Sequence, residues 1–164
     1  MTGFAAAAEE HLDDVHGYLL YLTGDRSAAE ELTAATFERA LRVWARFDPA
    51  RGSARTWLCQ IARSTALDHF RAEERRRRRE RVYALQEPQE AEETFFAAGL
   101  SPALAAALAS LSAGEREVVA LRVLLGLDGE SSARLLGISG TACSTRLSRA
   151  LGKLEERMTA DVAA

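Results

Sequence analysis

The sequence predicts an all-α protein built as two small helical domains joined by a flexible acidic linker. Three observations lead there. Apolar residues recur at spacings of three and four along nearly the whole chain, the period of an amphipathic helix. The alternating β-branched runs that mark strands are absent. Residues 87–93 hold a proline, four glutamates and no apolar face, which reads as a tether between packed units. With 164 residues, 48% hydrophobic and 27% charged, the chain can bury one compact core or two small ones.

Each element has a local reason. The first helix sets Leu12, Val15, Leu19 and Leu22 on one stripe and stops at Thr23-Gly24, where glycine can take the left-handed cap conformation. Ser27-Ala-Ala-Glu30 has the pattern of a capping box and opens a helix carrying Leu32, Phe37, Ala40, Leu41, Trp44 and Phe47, which Asp48-Pro49 ends. After a turn at Arg51-Gly52-Ser53, a third helix runs from about Ala54 through Trp57, Leu58, Ile61, Ala62 and Thr65 into the arginine block 75–79. Beyond the linker, Ser101-Pro102 supplies a serine N-cap with proline at the first helical position, followed by Leu104, Leu108 and Leu111. Ser112 and Glu115 form a second capping box, opening a helix with Val118, Leu121 and Leu125 inward. Residues 130–136, a Gly137-Ile138-Ser139 turn, and a helix from Gly140 to about Met158 complete the chain. A short helix, a glycine turn and a longer amphipathic helix make a helix-turn-helix pattern.

Several function classes fall away. No run of about twenty apolar residues could span a bilayer, and the stretch from Ala5 to Ala8 lacks the basic flank of a signal peptide. A cytoplasmic location without membrane insertion is expected. Cys59 and Cys143 lie far apart with no metal-ligand spacing, so both are expected to be small buried apolar residues. His11, His16 and His69 form no ligand pair. An enzyme would need clustered carboxylates, a phosphate-cradling glycine loop or a nucleophile beside a base; none is visible, and no catalytic residue, metal or cofactor is expected.

Net charge is −3, which alone argues against a nucleic-acid partner. The charge is segregated, however. Residues 42–81 hold twelve arginines against five acids, 12 − 5 = +7, whereas residues 86–114 hold four glutamates and no base. In the last helix Cys143, Leu147, Leu151, Leu154 and Met158 form an apolar stripe, leaving Thr141, Thr145, Ser148, Arg149 and Lys153 opposite. Small hydroxyl residues can approach base edges in a major groove, and arginine can fork onto guanine or grip phosphate. An ordinary surface helix has the same composition; the preceding turn and short helix favour DNA. Residues 112–158 carry seven bases against six acids, 7 − 6 = +1, so this domain should bind DNA weakly alone and suits a subunit of a larger DNA-bound machine. In the first domain, Trp57 and Phe47 flank a glycine turn beside Arg51, Arg55 and Arg63. They could hold an unpaired base, although their spacing alone favours two core aromatics. The run 75–79 fits a solvated helix end or a contact with a polyanion.

At this point a likeness is visible. The segments 18–25, 29–32, 36–37, 46–53, 56–58, 61–63 and 66–71, among them Arg46-Phe-Asp-Pro-Ala-Arg-Gly-Ser53 and Ala66-Leu-Asp-His-Phe-Arg71, resemble region two of the extracytoplasmic-function (ECF) RNA polymerase sigma factors of the sigma-70 family. Leu111-Ser112, Glu115-Arg-Glu-Val118, Leu121-Arg122, Gly126-Leu127, Ala133, Leu136-Gly-Ile138, Arg146-Leu147 and Arg149-Ala-Leu151 resemble region four. The resemblance implies region two over 8–83, the acidic linker over 84–100 and region four over 101–158. It implies a sigma factor that binds polymerase core and directs promoter-specific initiation. Glu31, Leu32, Ala35, Thr36, Phe37 and Glu38 would fall in the helix docking on the clamp helices of the largest subunit. Phe47, Asp48, Arg51, Ser53, Trp57, Arg63, Asp68 and Arg71 would surround the melted minus-ten element. Gly140, Thr141, Ser144, Thr145, Arg146, Ser148, Arg149 and Lys153 would face the minus-thirty-five element, with the flap of the second-largest subunit as a further contact. The linker would thread toward the RNA exit channel. An anti-sigma partner is expected from the family.

The sequence also departs from the family's usual pattern. Ala34-Ala35 stand where Gln-Glu is usual, predicting reduced core affinity, and Ser64 replaces a common asparagine. Ser131-Ser132 replace Glu-Ile, setting a hydroxyl where an apolar anchor is expected, and Ser144 replaces a frequent lysine. The final Ala163-Ala164 resembles a tail read by the ClpXP protease, although a frayed terminus would look the same. No further regulatory domain is expected after it. The rival class, a free-standing helix-turn-helix regulator, would need a dimer interface and more positive charge than the second domain carries.

Overall fold

The computed structural model describes residues 3–83 and 101–162. The linker at 84–100 and the Ala163-Ala164 tail lie outside the described residues. Among the described residues there are seven α-helices and no strand: α1 (Phe4–Thr23), α2 (Arg26–Val43), α3 (Ala54–Tyr83), α4 (Pro102–Ala109), α5 (Ala113–Val119), α6 (Gly129–Leu136) and α7 (Gly140–Val162). A 3-10 turn at Trp44–Arg46 follows α2, and a π turn at Ala120–Leu124 follows α5.

The first three helices pack against one another around Val15, Tyr18, Leu19, Ala29, Ala40, Leu58, Cys59 and Ala62, all fully buried. Helix α1 ends as predicted: Gly24 sits at φ 64°, and its amide donates to the Leu20 carbonyl at 2.9 Å. Helix α2 starts earlier than Ser27. Asp25 caps it by accepting from the Ala28 amide at 3.1 Å. Ser27 therefore falls inside the first turn, and Glu30 pairs with Arg26 at 3.1 Å instead of closing a capping box. Leu12 is 47% exposed and Leu41 58% exposed. The buried stripe of α2 is Ala29, Leu32, Thr33, Thr36 and Ala40, and Leu41 lies about 100° round the helix from Ala40. The two threonines are tolerated inside because their hydroxyls donate to the Ala29 and Leu32 carbonyls at 2.7 Å each. Burial pushes the Cys59 thiol up to about 12, so it behaves as an inert apolar residue.

In the second domain α4, α5 and α6 pack on α7. Ser101 accepts from the Leu104 amide at 3.2 Å with Pro102 behind it. Both bonds of the predicted box at Ser112 and Glu115 form, at 2.9 and 3.3 Å. Val118, Leu121 and Leu125 are buried as expected. The stripe of α7 differs by one residue. Ala150 is fully buried and Leu151 is 44% exposed, so Cys143, Leu147, Ala150 and Leu154 face the core. Ser132 is fully buried, and its hydroxyl has no hydrogen-bond partner among the described residues. The apolar anchor position is thus occupied by an unsatisfied polar group. One hydrophobic cluster runs through both domains, joining Val15, Tyr18 and Ala66 to Val119, Leu121 and Leu125.

Candidate nucleic-acid interface

The helix-turn-helix is built by three local devices. Asp128 caps α6, accepting from the Ser131 amide at 2.8 Å and the Ser131 hydroxyl at 2.7 Å. These bonds, the amide first, hold its carboxyl below the ordinary range. Gly137 takes φ 65°, which closes the turn. Ser139 then accepts from the Ala142 amide at 3.1 Å and starts α7. Helix α7 consequently presents Gly140, Thr141, Ser144, Thr145, Ser148 and Arg149 to solvent. The last five follow spacings of three, one, three and one, so they share one face.

Two basic residues of α7 lie differently. Arg146 is half-buried and leans on the first turn of α5, where a Cβ on Gly114 would stand 3.2 Å from its Nη1. Lys153 donates to both carboxylate oxygens of Glu115 at 2.7 and 2.9 Å. It ties α7 to α5 while its side chain stays half exposed. This ammonium first, and then the Ser112 amide, hold the Glu115 carboxyl below the ordinary range. A cleft of about 530 Å³ between these elements is lined by Ser112, Ser139, Thr141, Thr145, Arg146 and Arg149.

The first domain carries a second cleft, of about 380 Å³, lined by Phe47, Asp48, Arg51, Ser53, Trp57 and Arg134 among others. Its backbone is set by Asp48, which accepts from the Ala50 amide at 2.9 Å, and by Ser53, which caps α3 through the Thr56 amide at 3.2 Å. Phe47 and Trp57 are half-buried. They form an aromatic cluster centred on Trp44, which lies 4.8 Å from Phe47 and 5.6 Å from Trp57 between ring centroids. They are packed as core aromatics and line the cleft as well. Asp68 and Arg71 stand further along α3, exposed, where Arg39 of α2 reaches Asp68 at 3.8 Å and Ser64 at 3.4 Å. Arg63 is turned away from both groups, toward the second domain. It meets Glu117 of α5 at 2.5 Å with the two side chains 25% and 15% exposed. Among the described residues, no group of three or more His, Cys, Asp or Glu side chains could hold a metal ion, and no helix is long and apolar enough to cross a membrane.

Residues 7–76 match the family described as Sigma-70 region 2, and residues 101–154 match Sigma-70, region 4. The chain is 34% identical over 137 residues to the ECF RNA polymerase sigma factor SigC of Mycobacterium tuberculosis, covering 84% of this chain and 73% of SigC. It is 30% identical over 161 residues to the ECF RNA polymerase sigma factor BldN of Streptomyces coelicolor, covering 96% of this chain but 61% of BldN. This chain belongs to the ECF sigma factors of the sigma-70 family. Its fold is shared with the sigma factor RpoE of Bartonella quintana, solved in complex with the anti-sigma factor NepR, at a TM-score of 0.74 and 23% identity over 96% of this chain and 98% of that one.

In this sigma factor, region 2 and region 4 are packed together. The Arg63–Glu117 pair bridges them, α1 touches the π turn, and Arg134 of α6 lines the region 2 cleft. The predicted docking residues of α2 separate into two sets. Leu32 and Thr36 are buried and Phe37 half-buried, whereas Glu31, Ala35 and Glu38 are exposed with Ala34, Leu41 and Arg42. Hydrophobic period groups Leu41 with the apolar residues of α2, although it is exposed. The signal that could have placed it outside is its angular offset from the Ala29–Ala40 stripe. Arg134 had no signal in the sequence, because only the folded arrangement carries α6 to the region 2 cleft.

Proposed function

We propose that this sigma factor binds RNA polymerase core in the cytoplasm and directs initiation at its own promoters, with region 2 melting and reading the minus-ten element and region 4 reading the minus-thirty-five element. The observation that carries the reading is the solvent face of α7, where Thr141, Ser144, Thr145, Ser148 and Arg149 stand together at the start of a helix-turn-helix recognition helix. Phe47, Asp48, Arg51, Ser53 and Trp57 would contact the melted strand at their cleft, with Asp68 and Arg71 flanking it. Arg63 and Arg134 would have to leave their present places first. The exposed side of α2, with Glu31, Ala35 and Glu38, would meet the clamp helices of the largest subunit. Val123 and Leu124, exposed at the end of the π turn, suit a contact with the flap of the second-largest subunit. The domain limits follow as 8–83 and 101–158, with 84–100 as the link. An anti-sigma factor is the expected repressor, as the RpoE relative has one. Sigma factors are not enzymes, and none of these roles needs a cofactor.

Run-off transcription with bacterial core polymerase, with and without this protein, on genomic fragments of its host tests the reading. Discrete new transcripts with fixed starts are expected. Their absence, together with failure to co-purify with core, would sink it in favour of a free-standing helix-turn-helix regulator.

A further inference from the structure

Among the described residues, the last three turns of α3 pack against nothing. Every residue from Glu74 to Tyr83 is exposed, so no apolar contact explains why the helix continues or why it is basic. This stretch holds Arg75, Arg76, Arg77, Arg78, Arg79 and Arg81 against Glu74 and Glu80, 6 − 2 = +4. Arg76 is engaged by Glu73 at 3.1 Å and Glu80 at 3.7 Å. Arg75, Arg77, Arg78, Arg79 and Arg81 meet no carboxylate among the described residues. The match to region 2 ends at residue 76, so most of these arginines lie beyond the part that the family pattern accounts for.

Their arrangement selects among polyanions. Successive residues turn by about 100° round a helix, so the run 75–79 places guanidinium groups on every side. A flat anionic surface, such as a membrane or an acidic protein face, could meet only one side, and a membrane-bound helix would need an apolar stripe opposite its charges. Residues 72–81 have no such stripe. A duplex DNA major groove is about 12 Å wide, admits an α-helix and carries phosphates along both edges, which suits a helix charged all round. The A-form RNA major groove is too deep and narrow to do so. Placement agrees with this. Trp57 lines the region 2 cleft near the start of α3, and Arg77 lies twenty residues further along the same helix, or about 30 Å at 1.5 Å per residue. That distance is on the order of nine base pairs at 3.4 Å each.

We propose that the arginine turns of α3, Arg75 to Arg81, are a sequence-independent grip on the phosphates of duplex DNA flanking the region 2 cleft. The proposal deepens the sigma-factor reading by adding a contact to the same promoter complex, and it compensates for the near-neutral region 4. It acts through charge, so it supplies affinity and salt dependence and leaves the choice of start site alone.

The test uses the full chain with Arg75, Arg77, Arg78, Arg79 and Arg81 changed together to Gln, and a second variant with the same five changed to Lys. The first arm needs no polymerase: fluorescence anisotropy at low salt with a duplex of about thirty base pairs lacking any promoter, a length that exceeds the estimated reach of the helix. The wild type should bind weakly with steep salt dependence. The Gln variant should lose about tenfold or more in affinity and, with five phosphate contacts removed at about 0.9 each, up to about 4.5 from the slope of log K against log salt. The Lys variant should stay near wild type. The second arm measures promoter complexes of the holoenzyme, where the Gln variant should co-purify with core normally, bind more weakly and start transcription at the same base. Because the first arm stands without transcription, its result remains readable if the sigma-factor reading itself fails. Equal affinity and slope for the Gln variant would overturn the proposal. So would loss of core co-purification, which would make the turns a polymerase contact, or preferential binding of single-stranded RNA lost in the same variant, which would make the nascent transcript their ligand.

Discussion

Ser132→Ala should stabilise this protein, although it shortens a fully buried side chain. The Ser132 amide is satisfied by the Asp128 carbonyl at 3.0 Å, but the hydroxyl has lost water and found no partner. Burying an unpaired hydroxyl costs about 1–3 kcal/mol on protein scales. Removing it leaves a void of roughly one oxygen, about 15 Å³, worth about 0.4 kcal/mol at 24 cal/mol per Å³. The gain in helix propensity from Ser to Ala is of similar size and opposite sign. The net is a stabilisation of about 1.5 kcal/mol, or about 3–6 °C in Tm for a chain of this length. Ser131→Ala is the control of opposite sign, because its hydroxyl donates to the Asp128 carboxylate at 2.7 Å at the helix cap, and losing that bond should give no comparable gain in stability. Urea titration of both variants, followed by far-ultraviolet circular dichroism, gives the two differences. A neutral or destabilising Ser132→Ala would refute the reasoning and show that the hydroxyl is satisfied.

Three further outcomes follow from the same structure. Glu117→Ala should loosen region 2 from region 4, because it strands the half-buried Arg63 at a cost of about 2 kcal/mol; small-angle X-ray scattering should report a larger radius of gyration, and an unchanged value would remove this pair from the interdomain contact. Glu115 has a folded pKa held below its unfolded value, so its stabilisation is present above the ordinary glutamate range and fades as pH falls through the folded value. Lys153→Met should therefore weaken the fold at neutral pH by a margin that shrinks in acid, and a margin independent of pH in urea midpoints would contradict the assignment. Leu41→Asp should cut co-purification with polymerase core at least tenfold while changing the unfolding free energy from urea titration by under about 0.5 kcal/mol, since Leu41 is 58% exposed on α2; a large loss of stability would mean that Leu41 is packed in the core.

Helix punctuation was legible because caps are local. Gly24, the Ser101-Pro102 pair, the Ser112–Glu115 box and the Gly137 turn each act within a few residues, and each forms where its spacing predicts. Ser27 misled for the same reason. It fits the capping pattern, but Asp25 stands two residues nearer the end of α1 and takes the position first. Hydrophobic period puts Leu12 and Leu151 on the inward stripes, but period gives a stripe's direction only to within about a residue's turn of 100°. Packing then chose Tyr18 and Ala150 in preference.

The candidate site divides the same way. Sequence by itself determined the all-α class, the recognition helix with its hydroxyl-rich face, the aromatic and arginine turn at residues 47–57, and the uneven distribution of charge, because each depends on residues adjacent in the chain or one helical turn apart. Tertiary structure alone decided that Arg63 pairs with Glu117, that Lys153 is held by Glu115, that Arg134 enters the region 2 cleft, and that the Ser132 hydroxyl is stranded. Those are meetings of elements far apart in sequence or consequences of complete burial, and they follow from how helices pack, which the period of any one helix does not contain.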